Sequence, residues 1–162
     1  MKTLILISII IASTAHGITR EDLIQKVSEV TPNISVRAYD LDYASHTSKS
    51  FSKTRVEYQK LLHKASVNKF FKKPVFDCED YARLFRVSSS LQIIRDNLNY
   101  ACGTIMVRQT SAFGGVPSVG NAVHMLNIVL LNDELVIVEP QSLKSVPLVD
   151  YVNKDSIMDI SF

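Results

Sequence analysis

Two runs of mostly aliphatic residues in the second half of the chain, residues 122–131 and 134–139, are separated only by Asn132 and Asp133. Asn and Asp adopt the left-handed backbone conformation of tight hairpin turns more readily than other non-glycine residues. The pattern therefore predicts two paired strands joined by a two-residue turn. Because such a hairpin is not stable alone, the chain must build a larger sheet and cover at least one face of it.

The first half of the chain carries apolar residues at helical spacing. One helix is expected to begin after Thr19, a good capping residue, and a second to cover residues 54 to about 71 after a polar loop at 45–53. A third is expected to begin at Asp77. With a further β-branched run at 101–107, the chain is expected to fold as an α+β domain, with N-terminal helices packed on a small antiparallel sheet.

The first seventeen residues have the layout of a secretory signal peptide. Lys2 precedes an apolar run at residues 4–12, interrupted only by Ser8, and small residues follow. The run is shorter than the roughly 20 residues that span a bilayer, so a retained anchor is the less favoured alternative. We expect cleavage near Gly17, a secreted or periplasmic protein, and a single domain over residues 18–162 without stable membrane insertion.

The charge of the mature chain favours no highly charged partner. Without Lys2, seventeen basic side chains remain against sixteen acidic ones, which gives little long-range attraction to nucleic acid or to an anionic membrane. A basic cluster at Lys69, Lys72 and Lys73 is expected to be a solvated loop, with a phosphate or anionic-glycan site as the alternative. We expect no nucleic-acid partner and a monomeric protein.

Three residues suited to thiol chemistry lie in separate predicted elements. Cys78 falls in the first turn of the third helix, where free N–H groups and the helix dipole stabilise a thiolate and can hold an oxyanion. His124 lies in the strand after a glycine-rich segment at residues 111–120, and Glu139 ends the next strand. The hairpin is expected to bring Glu139 beside His124, so that the carboxylate orients the imidazole.

Other interpretations of these residues stay open. Two cysteines in an exported protein favour a Cys78–Cys102 disulfide, which would leave a non-catalytic binding or inhibitor protein. A single histidine in an apolar strand is often a hydrogen-bonded core residue, and Glu139 is equally consistent with a solvated strand end. The segment 111–120 is expected to be either a mobile rim that admits substrate or an ordinary flexible loop.

These residues in chain order resemble a known superfamily. Asp-Cys-Glu-Asp at 77–80, His124, and Glu-Pro-Gln at 139–141 look like the papain-like and transglutaminase-like cysteine hydrolases. The likeness is greater to a branch in phage and bacterial proteins and in the protease domain of a fungal agglutinin from a Marasmius mushroom. It covers about residues 74–142. The chain departs from the pattern by lacking tryptophan, with Leu126 where superfamily members often carry one.

The resemblance implies a role for each residue. Cys78 is expected to be the nucleophile, His124 the general base and then acid, and Glu139 the orienting carboxylate. The expected activity is that of an exported thiol hydrolase, a cysteine peptidase or amidase, which cleaves an amide in a peptide, a protein or a peptidoglycan stem peptide. Transfer of the acyl group to an amine, as in transglutaminases, is a variant of the same chemistry.

The resemblance also implies a use for the acidic residues beside the thiol. Because the fungal relative is calcium-activated, Asp77, Glu79 and Asp80 are expected as Ca²⁺ ligands, since hard cations prefer carboxylate oxygens. The alternative is that Glu79 and Asp80 only complement the helix dipole. No other cofactor is expected.

Overall fold

The structure is a computed structural model that describes residues 17–65, 77–118, 120 and 122–162. Apart from Gly17, the predicted signal peptide lies outside the described residues, as does the basic cluster of Lys69, Lys72 and Lys73. The predicted α+β class is confirmed. The α-helices of the described part are α1 (Arg20–Val30), α2 (Ser48–Lys64) and α3 (Cys78–Asp96). The strands are β1 (Gly17–Thr19), β2 (Ser35–Arg37), β3 (Asp42–Ala44), β4 (Cys102–Arg108), β5 (Val123–Leu131), β6 (Glu134–Glu139), β7 (Lys144–Pro147) and β8 (Ile157–Ser161).

Six strands form the main sheet, in the order β2-β8-β4-β5-β6-β7. Its neighbouring strands are antiparallel except for β2 and β8, which run parallel. The sheet is therefore mixed, whereas a purely antiparallel one was expected. The difference arises because the C-terminal strand β8 inserts between β2 and β4, and neither β7 nor β8 has a run long enough to be recognised in the sequence.

The predicted hairpin between β5 and β6 is present. Its register runs from Leu131 opposite Glu134 to Asn127 opposite Val138. Asn132 and Asp133 form the turn with φ angles of 48° and 64°, as a two-residue hairpin turn requires. The turn chemistry thus fixes which residues of β5 and β6 face each other.

The two faces of the sheet bury separate apolar clusters. Alternate residues along β6 belong to different clusters, because successive side chains of a strand point to opposite faces. One cluster packs against α1 and the other against α2 and α3. The first includes Leu23, Val27, Ile105, Leu126, Ile128, Leu135 and Ile137, and the second Phe51, Tyr58, Tyr81, Phe85, Cys102, Val129, Val136 and Val138.

Helix α2 begins earlier than the sequence indicated. Thr47 caps it and forms a reciprocal capping box with Ser50, so the segment from Ser48 onward is helical and the loop predicted at 45–53 is wrong there. Polar residues in its first turn concealed the helix, although Phe51 is buried. The helix ends at Lys64, and residues 66–76 lie outside the described part.

The other two helices begin where the sequence predicted. The Thr19 side chain accepts a hydrogen bond from the backbone of Asp22 at the start of α1, and Asp77 caps α3. Within the described residues, no helix has both the length and the apolar content needed to cross a membrane.

Candidate functional site

Cys78 is the first residue of α3. The Asp77 side chain accepts from the backbone N–H of Glu79 at 3.1 Å, and Asp80 accepts from the backbone N–H of Asp77 at the same distance. Two of the three acidic residues beside the thiol are thus used in the helix cap. The cap fixes the first turn of α3, and with it the direction in which the half-buried Cys78 side chain leaves the helix.

His124 and Glu139 meet beyond the last residue pair of the β5–β6 hairpin. The last hairpin pair joins Asn127 and Val138, so Glu139 lies across from Leu126, and His124 is two residues further along the same face. The imidazole Nε2 of His124 lies 2.7 Å from Oε2 of Glu139. Both side chains are buried, at 3% and 0% exposure. This distance confirms the expectation that the hairpin brings Glu139 beside His124.

Both oxygens of the Glu139 carboxylate are engaged. Oε2 is bonded to His124, and Oε1 accepts from the backbone N–H of Gln141 at 3.0 Å. The strand end is also tied to α2, because the hydroxyl of Tyr58 donates to the carbonyl of Pro140 at 2.8 Å. A buried carboxylate is tolerated only with such partners, so Glu139 is not the solvated strand end considered as an alternative.

His124 is also the side-chain hydrogen-bond partner that lowers the pKa of Cys78, so the three side chains form a series from thiol to carboxylate. Because Nε2 of His124 is used by Glu139, Nδ1 is the ring nitrogen left for the thiol. Burial acts to raise the pKa of Cys78, but the hydrogen bond with His124, a backbone hydrogen bond from Met125 and the imidazolium charge outweigh it, and the pKa is lowered. Asp77 opposes this effect only in part.

The same contacts favour the charged imidazole. Burial acts to lower the pKa of His124, but hydrogen bonds to Cys78 and Glu139, together with their negative charges, raise it to about 9. Each group thus favours the charged form of the other, the thiolate of Cys78 and the imidazolium of His124, and Glu139 stabilises the cation. A thiolate in a half-exposed position can react with an electrophile that approaches it.

The second cysteine lies in a different environment. Cys102 begins β4, is buried, and its pKa is raised to about 11 by that burial. Both Cys78 and Cys102 are free thiols. The disulfide considered in the sequence analysis is therefore absent, and only Cys78 has the properties of a reactive thiol.

The acidic residues beside Cys78 are committed to local contacts. Glu79 forms an ion pair with Arg83 one turn along α3, while Asp77 and Asp80 form the cap. In the part of the chain that the structure describes, no three His, Cys, Asp or Glu side chains are grouped to hold a metal ion. A calcium site at Asp77, Glu79 and Asp80 stays a prediction.

Two further residues that support the site were missed by the sequence analysis. Asn127 donates through Nδ2 to the carbonyls of Ala82 at 3.0 Å and Gly103 at 3.1 Å, which joins α3 to the sheet. Its signal was the single amide in a strand that is otherwise apolar except for His124. Gly114 packs on Glu139, and its only signal in the sequence was that it is one of two adjacent glycines; both have positive φ angles in the structure.

Comparisons with known proteins show the fold. No protein-family model and no curated protein match the chain. Two solved structures each match with a TM-score of 0.64 over 90% of this chain: the PSL1a-E64 complex, at 15% identity, and Polyporus squamosus lectin bound to the human-type influenza-binding epitope Neu5Acα2-6Galβ1-4GlcNAc, at 14%. This chain spans about half of those chains, 50% and 49%.

These findings correct the predicted function. The similarity is to a lectin structure, and no comparison supports the protease or hydrolase character that the sequence had suggested, so the prediction of an exported thiol hydrolase is wrong. The alternative given in the sequence analysis is a non-catalytic binding or inhibitor protein on the same scaffold. That alternative included a Cys78–Cys102 disulfide, and in this part it is wrong, because both cysteines are free thiols.

Proposed function

We propose that this chain is a binding protein that holds its ligand at the thiolate of Cys78, with His124 and Glu139 as the supporting pair. The observation that carries the proposal is the hydrogen-bonded series from Cys78 through His124 to Glu139, in which the pKa of the thiol is lowered and that of the imidazole is raised. Cys78 is the one member of this series that is partly exposed.

Stability alone is a poor explanation for this arrangement. Burying a carboxylate and an imidazolium costs desolvation energy, and well-packed apolar residues of similar volume are often at least as stabilising. The fully buried Glu139 acts on the thiol through His124, because it stabilises the cation that in turn stabilises the thiolate. The charges are therefore arranged to favour the ionised form of Cys78.

The proposed binding step is the capture of an electrophilic carbon. The Cys78 thiolate supplies the electron pair of a new S–C bond, and the electron pair of the bond that breaks goes to the ligand's leaving atom. The imidazolium of His124 donates a proton to that atom and becomes neutral. The S–C bond is the tether, and no attack by water forms part of the proposal.

The scaffold of the protein, its export and its class of ligand are part of the same proposal. The order of cysteine, histidine and acid supports a papain-like or transglutaminase-like scaffold, and the first seventeen residues support export to the cell exterior or the periplasm. A peptide, a protein or a peptidoglycan fragment is the ligand class carried over from the sequence analysis. In each case the S–C bond keeps the captured part of the partner attached to Cys78, and no attack by water releases it.

Alkylation with iodoacetamide tests the proposal. At pH 6 the folded protein should incorporate one equivalent, at Cys78, because its thiolate persists below the range of an ordinary thiol. Cys102→Ser should label as fast as the wild type, and Cys78→Ser should not label until it is unfolded. If the folded wild type leaves Cys78 unlabelled while the unfolded protein labels both cysteines, the proposal is wrong.

The compound E64, which is present in the PSL1a complex, provides a second probe. Incubation should raise the mass of the wild type by one E64 molecule, with the adduct mapped to Cys78. The Cys78→Ser variant is the matched control and should show no mass change. Reaction of both proteins, or of neither, would remove this support for the site.

Glycan binding is a second candidate, favoured by the similarity to a lectin described with a bound sialylated trisaccharide. Calorimetric titration with Neu5Acα2-6Galβ1-4GlcNAc, and with Galβ1-4GlcNAc as the control lacking sialic acid, tests it directly. Saturable binding of the first glycan would support this candidate. Absence of binding would reject it and leave the Cys78 site unaffected, since this chain spans 49% of that lectin chain.

A further inference from the structure

We propose that Gly114 is a positioning residue for Glu139: the turn at residues 113–116 sits directly on the Glu139 side chain and keeps its carboxylate directed at His124. The inference rests on the proposed role of the Cys78 site and adds a part that the side-chain series itself does not contain. The added part is the backbone of Gly114, whereas the series consists of the side chains of Cys78, His124 and Glu139.

The contact between Gly114 and Glu139 leaves no room for a side chain. A Cβ atom placed on Gly114 would lie 2.6 Å from Cγ and 2.7 Å from Cβ of Glu139, and 3.0 Å from Oγ of Ser142. Carbon atoms do not approach that closely without displacement. The Gly114 backbone therefore lies against the Glu139 side chain, with no space between them for a Cβ atom.

The turn that carries Gly114 is closed on itself and held from below. Phe113 and Val116 exchange two backbone hydrogen bonds, of 3.0 and 2.9 Å. The buried Gln109 donates through Nε2 to the carbonyls of Val116 at 3.0 Å and Pro117 at 2.9 Å. These bonds hold the turn in its position over the sheet, so the turn cannot move away from Glu139 without breaking them.

A second set of contacts holds the start of the segment. Asn153 accepts from the backbone N–H of Ser111 at 2.8 Å and donates to its carbonyl at 2.9 Å. The ring of Phe113 packs edge-on against Tyr151, with centroids 5.1 Å apart. The described part of the glycine-rich segment is thus anchored on both sides, in contrast to the mobile rim considered from the sequence.

The consequence for the site follows from hydrogen-bond geometry. The bond between His124 and Glu139 is 2.7 Å long, and a displacement of the carboxylate by about 1 Å would take it beyond hydrogen-bond range. Without that bond the imidazolium of His124 loses stabilisation, and the Cys78 thiolate loses its partner. Gly114 therefore acts on the thiol through two other residues.

The neighbouring glycine provides a matched control. Gly114 and Gly115 both have positive φ angles, 63° and 87°, so alanine at either position meets a similar backbone penalty. A Cβ on Gly115, however, would meet no atom within 4 Å. Comparing Gly114→Ala with Gly115→Ala separates the contact with Glu139 from the general effect of removing a glycine.

The primary measurement is the pKa of His124, followed by NMR of the imidazole nitrogens. Gly114→Ala should lower it by about one unit relative to the wild type, and Glu139→Gln should lower it at least as far. Gly115→Ala should leave it unchanged. In the double variant Gly114→Ala/Glu139→Gln the shift should not exceed that of Glu139→Gln, because both changes act on one bond.

The alkylation rate of Cys78 at pH 6 is the second measurement. It should fall about tenfold in Gly114→Ala and stay within about twofold in Gly115→Ala. If Gly114→Ala does not fold, Gln109→Leu loosens the turn without adding an atom beside Glu139 and should shift the His124 pKa in the same direction. Equal His124 pKa values in the two glycine variants and the wild type would overturn the inference.

The two proposals fail in distinguishable ways. A wild type whose Cys78 is unreactive would contradict the proposed function, while the NMR comparison of Gly114→Ala with Gly115→Ala still decides whether Gly114 positions Glu139. If the wild type is reactive and Gly114→Ala leaves both the His124 pKa and the alkylation rate of Cys78 unchanged, only the role of Gly114 is contradicted.

Discussion

The Nδ2 atom of Asn127 on β5 donates a hydrogen bond to the carbonyl of Ala82 on α3 at 3.0 Å. Asn127 is three residues after His124, and Ala82 is one helical turn after Cys78. The bond therefore ties the helix that carries the thiol to the strand that carries the imidazole, close to the point where the two side chains meet. A second bond from the same Nδ2 to Gly103 extends the connection to β4.

Asn127→Ala should destabilise the protein by about 2 kcal/mol, because two buried carbonyls lose their donor at once. The midpoint of urea unfolding measures this loss. Asn99→Ala removes a comparable amide-to-carbonyl bond, to Asp42 at 2.8 Å, but at an exposed position, and should cost less than half as much. If the two variants lose the same free energy of unfolding, the buried bonds of Asn127 stabilise the protein no more than an exposed bond does.

His124→Gln should slow the alkylation of Cys78 at pH 6 by about tenfold to a hundredfold, because the thiol loses the cation that lowers its pKa. Glu139→Gln should cause a smaller loss in the same direction, since the imidazole remains but its pKa falls. Rates of iodoacetamide labelling between pH 5 and 9 measure both effects. The difference from the wild type should shrink as the pH rises toward the pKa of an ordinary thiol; a constant ratio at all pH values would contradict the ion-pair explanation.

Local signals in the sequence predicted much of the fold. Thr19 and Asp77 cap helices where expected, and Asn132 with Asp133 forms the expected turn, because each depends on backbone preferences of only a few residues. Strand β8 and its parallel contact with β2 were not foreseen. Pairing of strands that lie far apart in the chain depends on packing of the whole sheet, which short sequence windows do not contain.

The site divides in the same way. The approach of Glu139 to His124 could be predicted because a short hairpin fixes the register between their strands. The joining of α3 to the sheet by Asn127, and the contact of Gly114 with Glu139, depend on tertiary approach. Asn127 and the adjacent glycines 114 and 115 could be recognised in the sequence, but an amide or a glycine does not indicate which distant residue it will contact.

Gly103→Ala should destabilise the protein by more than 2 kcal/mol, because β8 runs too close to β4 at this residue for a side chain. A Cβ on Gly103 would lie 2.5 Å from the carbonyl oxygen of Ser161, a backbone atom that cannot move without disturbing the sheet. Gly115→Ala is the control, since a Cβ there would meet no atom within 4 Å even though its φ angle is positive. Thermal unfolding compares the two, and an unchanged midpoint in Gly103→Ala would contradict the close approach of the strands.

His46 should make folding stability depend on pH below neutrality. It is fully buried between Ser50 and Ser89, each 3.1 Å from one ring nitrogen, and stacks on Tyr100. Burial lowers its pKa from 6.5 to about 4, with the charge of Asp96 opposing this in part. The folded protein thus keeps His46 neutral while the unfolded chain takes up a proton below pH 6.5.

Stability from this residue should therefore be complete above pH 6.5 and decrease as the pH falls toward 4, by a total on the order of 3 kcal/mol. Urea unfolding of the wild type and of His46→Gln at pH 7, 5.5 and 4 measures it as the difference between the two proteins. That difference should narrow steadily with acidification. His63→Gln, at an exposed position near the end of α2, controls for removal of a histidine and should follow the wild type at every pH. If His46→Gln retains the full pH dependence, protonation of other groups accounts for it, and the buried imidazole has no part in acid sensitivity.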